Sequence, residues 1–161
     1  MTHPDPSVVE RAKRDETPEP GAHPAPAAHF AGQREMLQRD KASAALGMRV
    51  EVDEPGHAIV SMAVREDMTN GFGITHGGFV FALADTTFAI CCNEDATVTV
   101  AAGADITFLK ATSAGSVLRA EARRRTRSGR TGVYDVTVTD ETGDVVAEFR
   151  GRSVTTRDTL T

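Results

Sequence analysis

Asp85 is the only Asp, Glu, Lys or Arg between Asp67 and Glu94. Its neighbours in HGGFVFALADTTFAICCN are mostly apolar or small, and the run reads as a helix from about Gly77 to Cys92. A carboxylate taken out of water is costly unless it is hydrogen-bonded or its pKa rises. Either arrangement makes it a candidate general base or nucleophile. The same residue also fits a solvated strip of the helix beside Thr86 and Asn93, or a cap on a neighbouring loop.

His76-Gly77-Gly78 opens that helix. The first N–H groups of a helix lack internal acceptors, and the helix dipole favours negative charge there. Glycine lets a ligand approach the backbone closely. Such a start can serve as an oxyanion hole, donating to charge that builds on a carbonyl oxygen. Taken alone, the glycine pair also fits a tight turn, and His76 an ordinary loop histidine. Spacing adds a constraint. Gly77 and Asp85 are eight residues apart, about 12 Å along a helix at roughly 1.5 Å per residue. One chain cannot bring both to one carbonyl, so acting on one substrate requires a two-fold dimer with shared sites.

These groups need a frame. A helical pattern over Gln33–Leu46 carries a stripe of Met36, Leu37, Ala44 and Ala45, with Gly47 as its C-cap. MRVEVD and HAIVSMAV alternate apolar and polar residues around Glu54-Pro55-Gly56, which predicts a hairpin. A glycine-rich loop (70–76) leads into the long helix. After Glu94 the period returns to two: TVTVAAGADITFLK, with Gly103 as a bulge, then SVLRAEARRRTR, GVYDVTVTD and VVAEFRGRSVTT, separated by turns at Ser128-Gly129 and Glu141–Asp144. The long helix is apolar nearly all round and must be buried on most sides. The strands have one wet and one dry face, as in an antiparallel sheet. The economical packing is an α+β hotdog fold, an antiparallel β-sheet wrapped around a long central helix.

Bulk properties narrow the function classes. The 161 residues fit one domain. Residues 1–32 read as a disordered Pro/Ala-rich tail and 33–157 as the folded domain, because six of the seven prolines precede residue 29. A net charge of −5 disfavours a general nucleic-acid binder. No apolar run reaches membrane-spanning length, and the N-terminus shows no secretory signal, so the cytoplasm is the expected compartment. The two cysteines, Cys91 and Cys92, are adjacent, which suits neither a disulfide nor a zinc site, and buried cysteine usually only packs. His3, His23 and His29 fit no ligand spacing.

Asn70, five residues, His76-Gly77-Gly78, six residues, Asp85 resembles the motif of the PaaI-type hotdog acyl-CoA thioesterases. DITFLKATSAGS, SGRTGVYDVTV and VVAEFRGRS resemble that family's later strands, so the likeness spans roughly residues 34–155. The resemblance implies hydrolysis of an aryl-acetyl-CoA, such as phenylacetyl- or hydroxyphenylacetyl-CoA in phenylacetate degradation, without metal or redox cofactor. It implies a homodimer with shared sites, assembled as a dimer of dimers. Asp85 would be the base or nucleophile, Gly77 the oxyanion donor, and Asn70 the group positioning water or carbonyl, with His76 in support. Some relatives carry a serine or threonine after the central helix to orient the water; here that stretch is Ala101-Ala102-Gly103. Gly78, Thr86, Gly103, Phe108 and Lys110 complete the expected substrate wall. The rivals are a non-catalytic acyl-CoA-binding regulator and a medium-chain acyl-CoA thioesterase. A dehydratase or hydratase needs a different arrangement of histidine and acid.

Six of the fifteen arginines fall between Arg119 and Arg130. They suit either a solvated strand face or a dock for coenzyme A phosphates, which guanidinium groups grip bidentately. Arg125 and Arg130, with Ser128 and Gly129 at the turn, are the expected phosphate contacts. Phe79, Phe81, Phe88 and Phe108 are core candidates, one or two of which could line an acyl pocket.

Overall fold

A computed structural model of the chain describes residues 30–159. The elements run α1 (Phe30–Arg39), α2 (Lys41–Ala45), β1 (Arg49–Glu54), β2 (His57–Ala63), a 3-10 turn (Glu66–Met68), α3 (Gly77–Cys92), β3 (Thr97–Phe108), β4 (Val117–Ser128), β5 (Thr131–Thr139) and β6 (Val145–Thr159). The six strands form one sheet in the order β1-β2-β4-β5-β6-β3, with every neighbouring pair antiparallel. α3 packs across its concave face, as a hotdog fold requires.

Sequence periodicity explains the core. Leu118, Ala120 and Ala122 on β4, and Tyr134, Val136 and Val138 on β5, are buried at every second position and face α3. Val80, Leu83, Ala84, Phe88, Ile90 and Cys91 fill the helix side. Gly151 on β6 lets the helix come close: a Cβ there would lie 2.7 Å from the Phe88 ring. The buried Asn93 then ties the end of α3 to β3. Its Nδ2 donates to the Thr99 carbonyl and its Oδ1 accepts from the Thr99 N–H, both at 2.9 Å. Among the described residues, no helix is long and apolar enough to cross a membrane.

Two expectations need correction. The single helix over Gln33–Leu46 is two helices broken at Asp40, whose side chain caps α2 by accepting from the Ser43 N–H. The new cap resets the helical phase. Ala44 and Ala45 are therefore exposed, while Ser43 is buried and Met36, Leu37 and Leu46 pack on the core. Gly47 does end this segment in the left-handed region, with φ 69°. β3 keeps the expected dry face only in part: Thr99 is buried and Ala104 and Ile106 pack on the core, but Val100 and Phe108 of this edge strand are 43% and 53% exposed. The bulge at Gly103 is present as a register shift between Ala101 and Gly103. The proline-rich tail and its three histidines lie outside the described residues.

Candidate functional site

The loop before α3 is built by Asn70. Its Oδ1 accepts from the Phe72 N–H at 2.9 Å, and its own N–H donates to the Ile74 carbonyl at 2.8 Å. With the oxygen committed, the amide NH₂ is left as a donor, and Asn70 lines a cleft of about 350 Å³ together with Gly77, Val80, Phe108, Lys110 and Thr112. The Thr75 and Thr112 hydroxyls are paired at 2.7 Å and hold the two sides of this cleft together. Ile74, Thr112 and Val146 also line it. Nothing in the sequence pattern singled them out, because they come from separate loops and strand ends.

His76 is the N-cap of α3. Its Nδ1 accepts from the Gly78 N–H at 3.0 Å, so the ring carries its proton on Nε2 when neutral. The Phe79 N–H donates to the His76 carbonyl. Among the described residues nothing accepts from the Gly77 N–H. The first turn of α3 therefore leaves one donor open, at a glycine that lines the cleft. The Phe108 ring covers that glycine: a Cβ on Gly77 would lie 3.0 Å from Phe108 Cζ.

Asp85 lies elsewhere. It is about 12 Å further along α3 and about 80° around it, and it does not line the Asn70–Gly77 cleft. Its carboxylate is half-buried and makes no hydrogen bond or ion pair among the described residues. Burial alone pushes its pKa up from the ordinary aspartate value. If the ionised form is the reactive one, activity falls as pH drops through this raised pKa. The acid limb of kcat/KM is expected above the usual aspartate range, and a limb at or below that range would assign it to another group.

The remaining expected residues divide. Gly78 gives its N–H to His76 and lines a second, apolar groove. The Thr86 hydroxyl is taken by Ser43 Oγ at 2.9 Å, and so anchors α2. Lys110 stands in the cleft wall, but its ammonium is held by Asp140 and Asp144, which pushes its pKa up. Gly103 sits on β3 at the bulge, beside Arg152. The thiols of Cys91 and Cys92 are pushed up to about 12 by burial and are protonated at neutral pH.

Five of the six arginines lie on β4 and are paired with carboxylates. Arg119 pairs with Glu51, Arg123 with Glu121, Arg124 with Glu94, Arg125 with Asp135, and Arg127 with Asp95. Among the described residues, Arg130 has no carboxylate partner. It follows Ser128 and Gly129 at the β4–β5 turn, which neighbours Val154 of β6, whereas the cleft neighbours Val146. The two ends are about 26 Å apart along β6 at roughly 3.3 Å per residue. One protomer does not bring these residues to the cleft.

A sheet wrapped on one long helix, with an open N–H donor at the helix start and a half-buried carboxylate in its middle, defines a hotdog-type thioesterase. Comparison with known proteins agrees. The thioesterase superfamily model matches residues 72–147. The acyl-coenzyme A thioesterase PaaI of Escherichia coli is 39% identical over 126 residues, 78% of this chain and 90% of that protein. The solved structure of the E. coli PaaI protein from the phenylacetic acid degradation operon superposes with a TM-score of 0.79 at 37% identity, covering 83% of this chain and 96% of the other. The smu.793 protein of Streptococcus mutans, solved bound to acetyl-CoA, gives a TM-score of 0.65 at 28% identity, covering 68% and 88%. The chain belongs to the thioesterase superfamily, among the PaaI-like acyl-CoA thioesterases, and is a thioester hydrolase.

Proposed function

We propose that this enzyme hydrolyses an aryl-acetyl-CoA, such as phenylacetyl- or hydroxyphenylacetyl-CoA, at sites shared across a two-fold dimer. The observation that carries it is the separation of the reacting groups: Asn70 and the open Gly77 N–H share one cleft, and Asp85 is outside it. The E. coli relative's operon supports the choice of acyl group. In the base route, Asp85 takes a proton from water as its oxygen bonds to the thioester carbon. The carbonyl oxygen, now negative, accepts from the partner's Gly77 N–H. Collapse breaks the C–S bond, and the departing thiolate takes the proton from Asp85. In the nucleophilic route the Asp85 oxygen itself bonds to the thioester carbon and the C–S bond breaks, releasing the thiolate and leaving a mixed anhydride; water then cleaves the anhydride, frees the Asp85 carboxylate and supplies the proton that the thiolate takes up. The Asn70 NH₂ donates to the water or the carbonyl. A carboxylate, water and N–H donors complete this chemistry without a metal or redox cofactor.

The edge of β3 supports the dimer. It offers a long row of unpaired backbone groups with one charged side chain, Asp105, along Thr97–Phe108. Exposed edges of this kind are normally covered, and a second β3 run antiparallel would cover it and bring the two α3 helices side by side. Two such dimers would form the tetramer. Thiol release across a panel of acyl-CoAs tests the substrate: aryl-acetyl thioesters should give the highest kcat/KM, and a clear preference for medium-chain acyl-CoA rejects the aryl assignment. Arg130 remains for a coenzyme A phosphate. Arg130→Glu should raise KM several-fold for an acyl-CoA and little for the acyl-pantetheine; equal rises reject that contact.

A further inference from the structure

The second groove, about 340 Å³, is lined by Leu46, His76, Gly78, Phe79 and Ala82, and shares no lining residue with the Asn70–Gly77 cleft. At about 100° per residue, Gly78, Ala82, Asp85 and Ala89 fall within about 60° of one another on α3. Asp85 is thus the next residue along the groove's floor, about 4.5 Å beyond Ala82. The floor is low because Gly78 and Ala82 carry no side chain beyond Cβ. Leu46 and Phe79 form its walls. Ser43, held by Asp40 at 2.6 Å and by Thr86 at 2.9 Å, pins α2, and with it Leu46, beside α3.

We infer that this groove holds the acyl side chain of the thioester, with Ala82 and Leu46 setting the size and shape it accepts. The inference rests on the assignment of Asp85 to thioester attack. A carbonyl carbon within reach of Asp85 must place its two substituents on either side. The polar pantetheine arm leaves toward solvent, and the apolar substituent needs an apolar surface next to the carboxylate. The groove supplies one. An apolar cavity of about 150 Å³ is enough to bind benzene, so the groove takes a ring and its methylene. A ring lies flat on the floor of Gly78 and Ala82. A long straight chain, leading away from Asp85 past Ala82 and Gly78, meets His76 at the far end.

The test follows thiol release by the full chain with phenylacetyl-CoA, octanoyl-CoA and acetyl-CoA. Ala82→Leu raises the floor and should lower the ratio of kcat/KM for phenylacetyl-CoA to that for acetyl-CoA about tenfold or more, since single methylenes in such pockets are worth roughly 10- to 200-fold. Leu46→Ala opens the wall and should raise the octanoyl-to-phenylacetyl ratio about fivefold. If melting shows that Ala82→Leu does not fold, Ala82→Val reads the same ratio with a smaller change. Ratios within twofold of wild type in both variants overturn the inference. So does an equal loss on all substrates accompanied by a change in assembled mass, which would make the groove an interface between copies. A wild-type chain that hydrolyses no acyl-CoA would instead remove the thioesterase assignment. Activity that depends on Asp85, with unmoved ratios, removes only the groove.

Discussion

Asp85→Asn lowers kcat by about 10² to 10⁴ if Asp85 is the general base, and by more if it is the nucleophile. Asparagine keeps the shape, so substrate binding should change far less than turnover. The fold should not suffer. Burial raises the Asp85 pKa above its unfolded value, so the folded state prefers the protonated form. The stability this gives is present below the unfolded pKa and is lost as pH rises through the folded one. At neutral pH the ionised group therefore works against folding, and Asp85→Asn should melt at the same temperature as wild type or higher. The gain should vanish in acid. An active Asp85→Asn enzyme would return the residue to a structural role.

The second large effect is at Gly77. Gly77→Pro deletes the N–H that nothing in the described chain accepts from. Proline is well suited to the first position of a helix, and His76 already has the extended backbone, φ −64° and ψ 128°, that a residue before proline prefers. Gly77→Ala is the control: it adds the same Cβ against Phe108 and keeps the N–H. Losing one oxyanion donor costs roughly 10² to 10³ in kcat. The proline variant should fall that far below the alanine variant while both melt normally. Equal activities would show that the Gly77 N–H does not serve the reaction.

The boundaries of α3 and the alternation of β4 and β5 were legible because periodicity reports burial directly. Asp85 stood out for the same reason, as a charge where the pattern is apolar. The α1–α2 break was not legible: one side-chain cap at Asp40 decides it, and Asp40 also fits an unbroken helix surface. The exposure of β3 was hidden too, since an edge strand has the same alternating composition as an inner strand. The arginines misled in part. Apart from Glu121, which pairs with Arg123 on β4 itself, their carboxylate partners come from other elements, and the fold, not sequence spacing, brings them together. The role of His76 as a cap depends on ring placement, which no sequence pattern encodes.

The central claim is that Asp85 of one chain and the Asn70–Gly77 cleft of the other act on one thioester. Asp85→Asn and Asn70→Ala should each be poor enzymes as homodimers. Co-expressed, their heterodimers carry one site with both residues intact and one with neither, so at random mixing about a quarter of all sites are wild type. Measured on heterodimers verified by two different tags, thiol release should recover to about half of the wild-type rate per dimer. Verified heterodimers that stay as inactive as their parents would contradict a site shared between subunits.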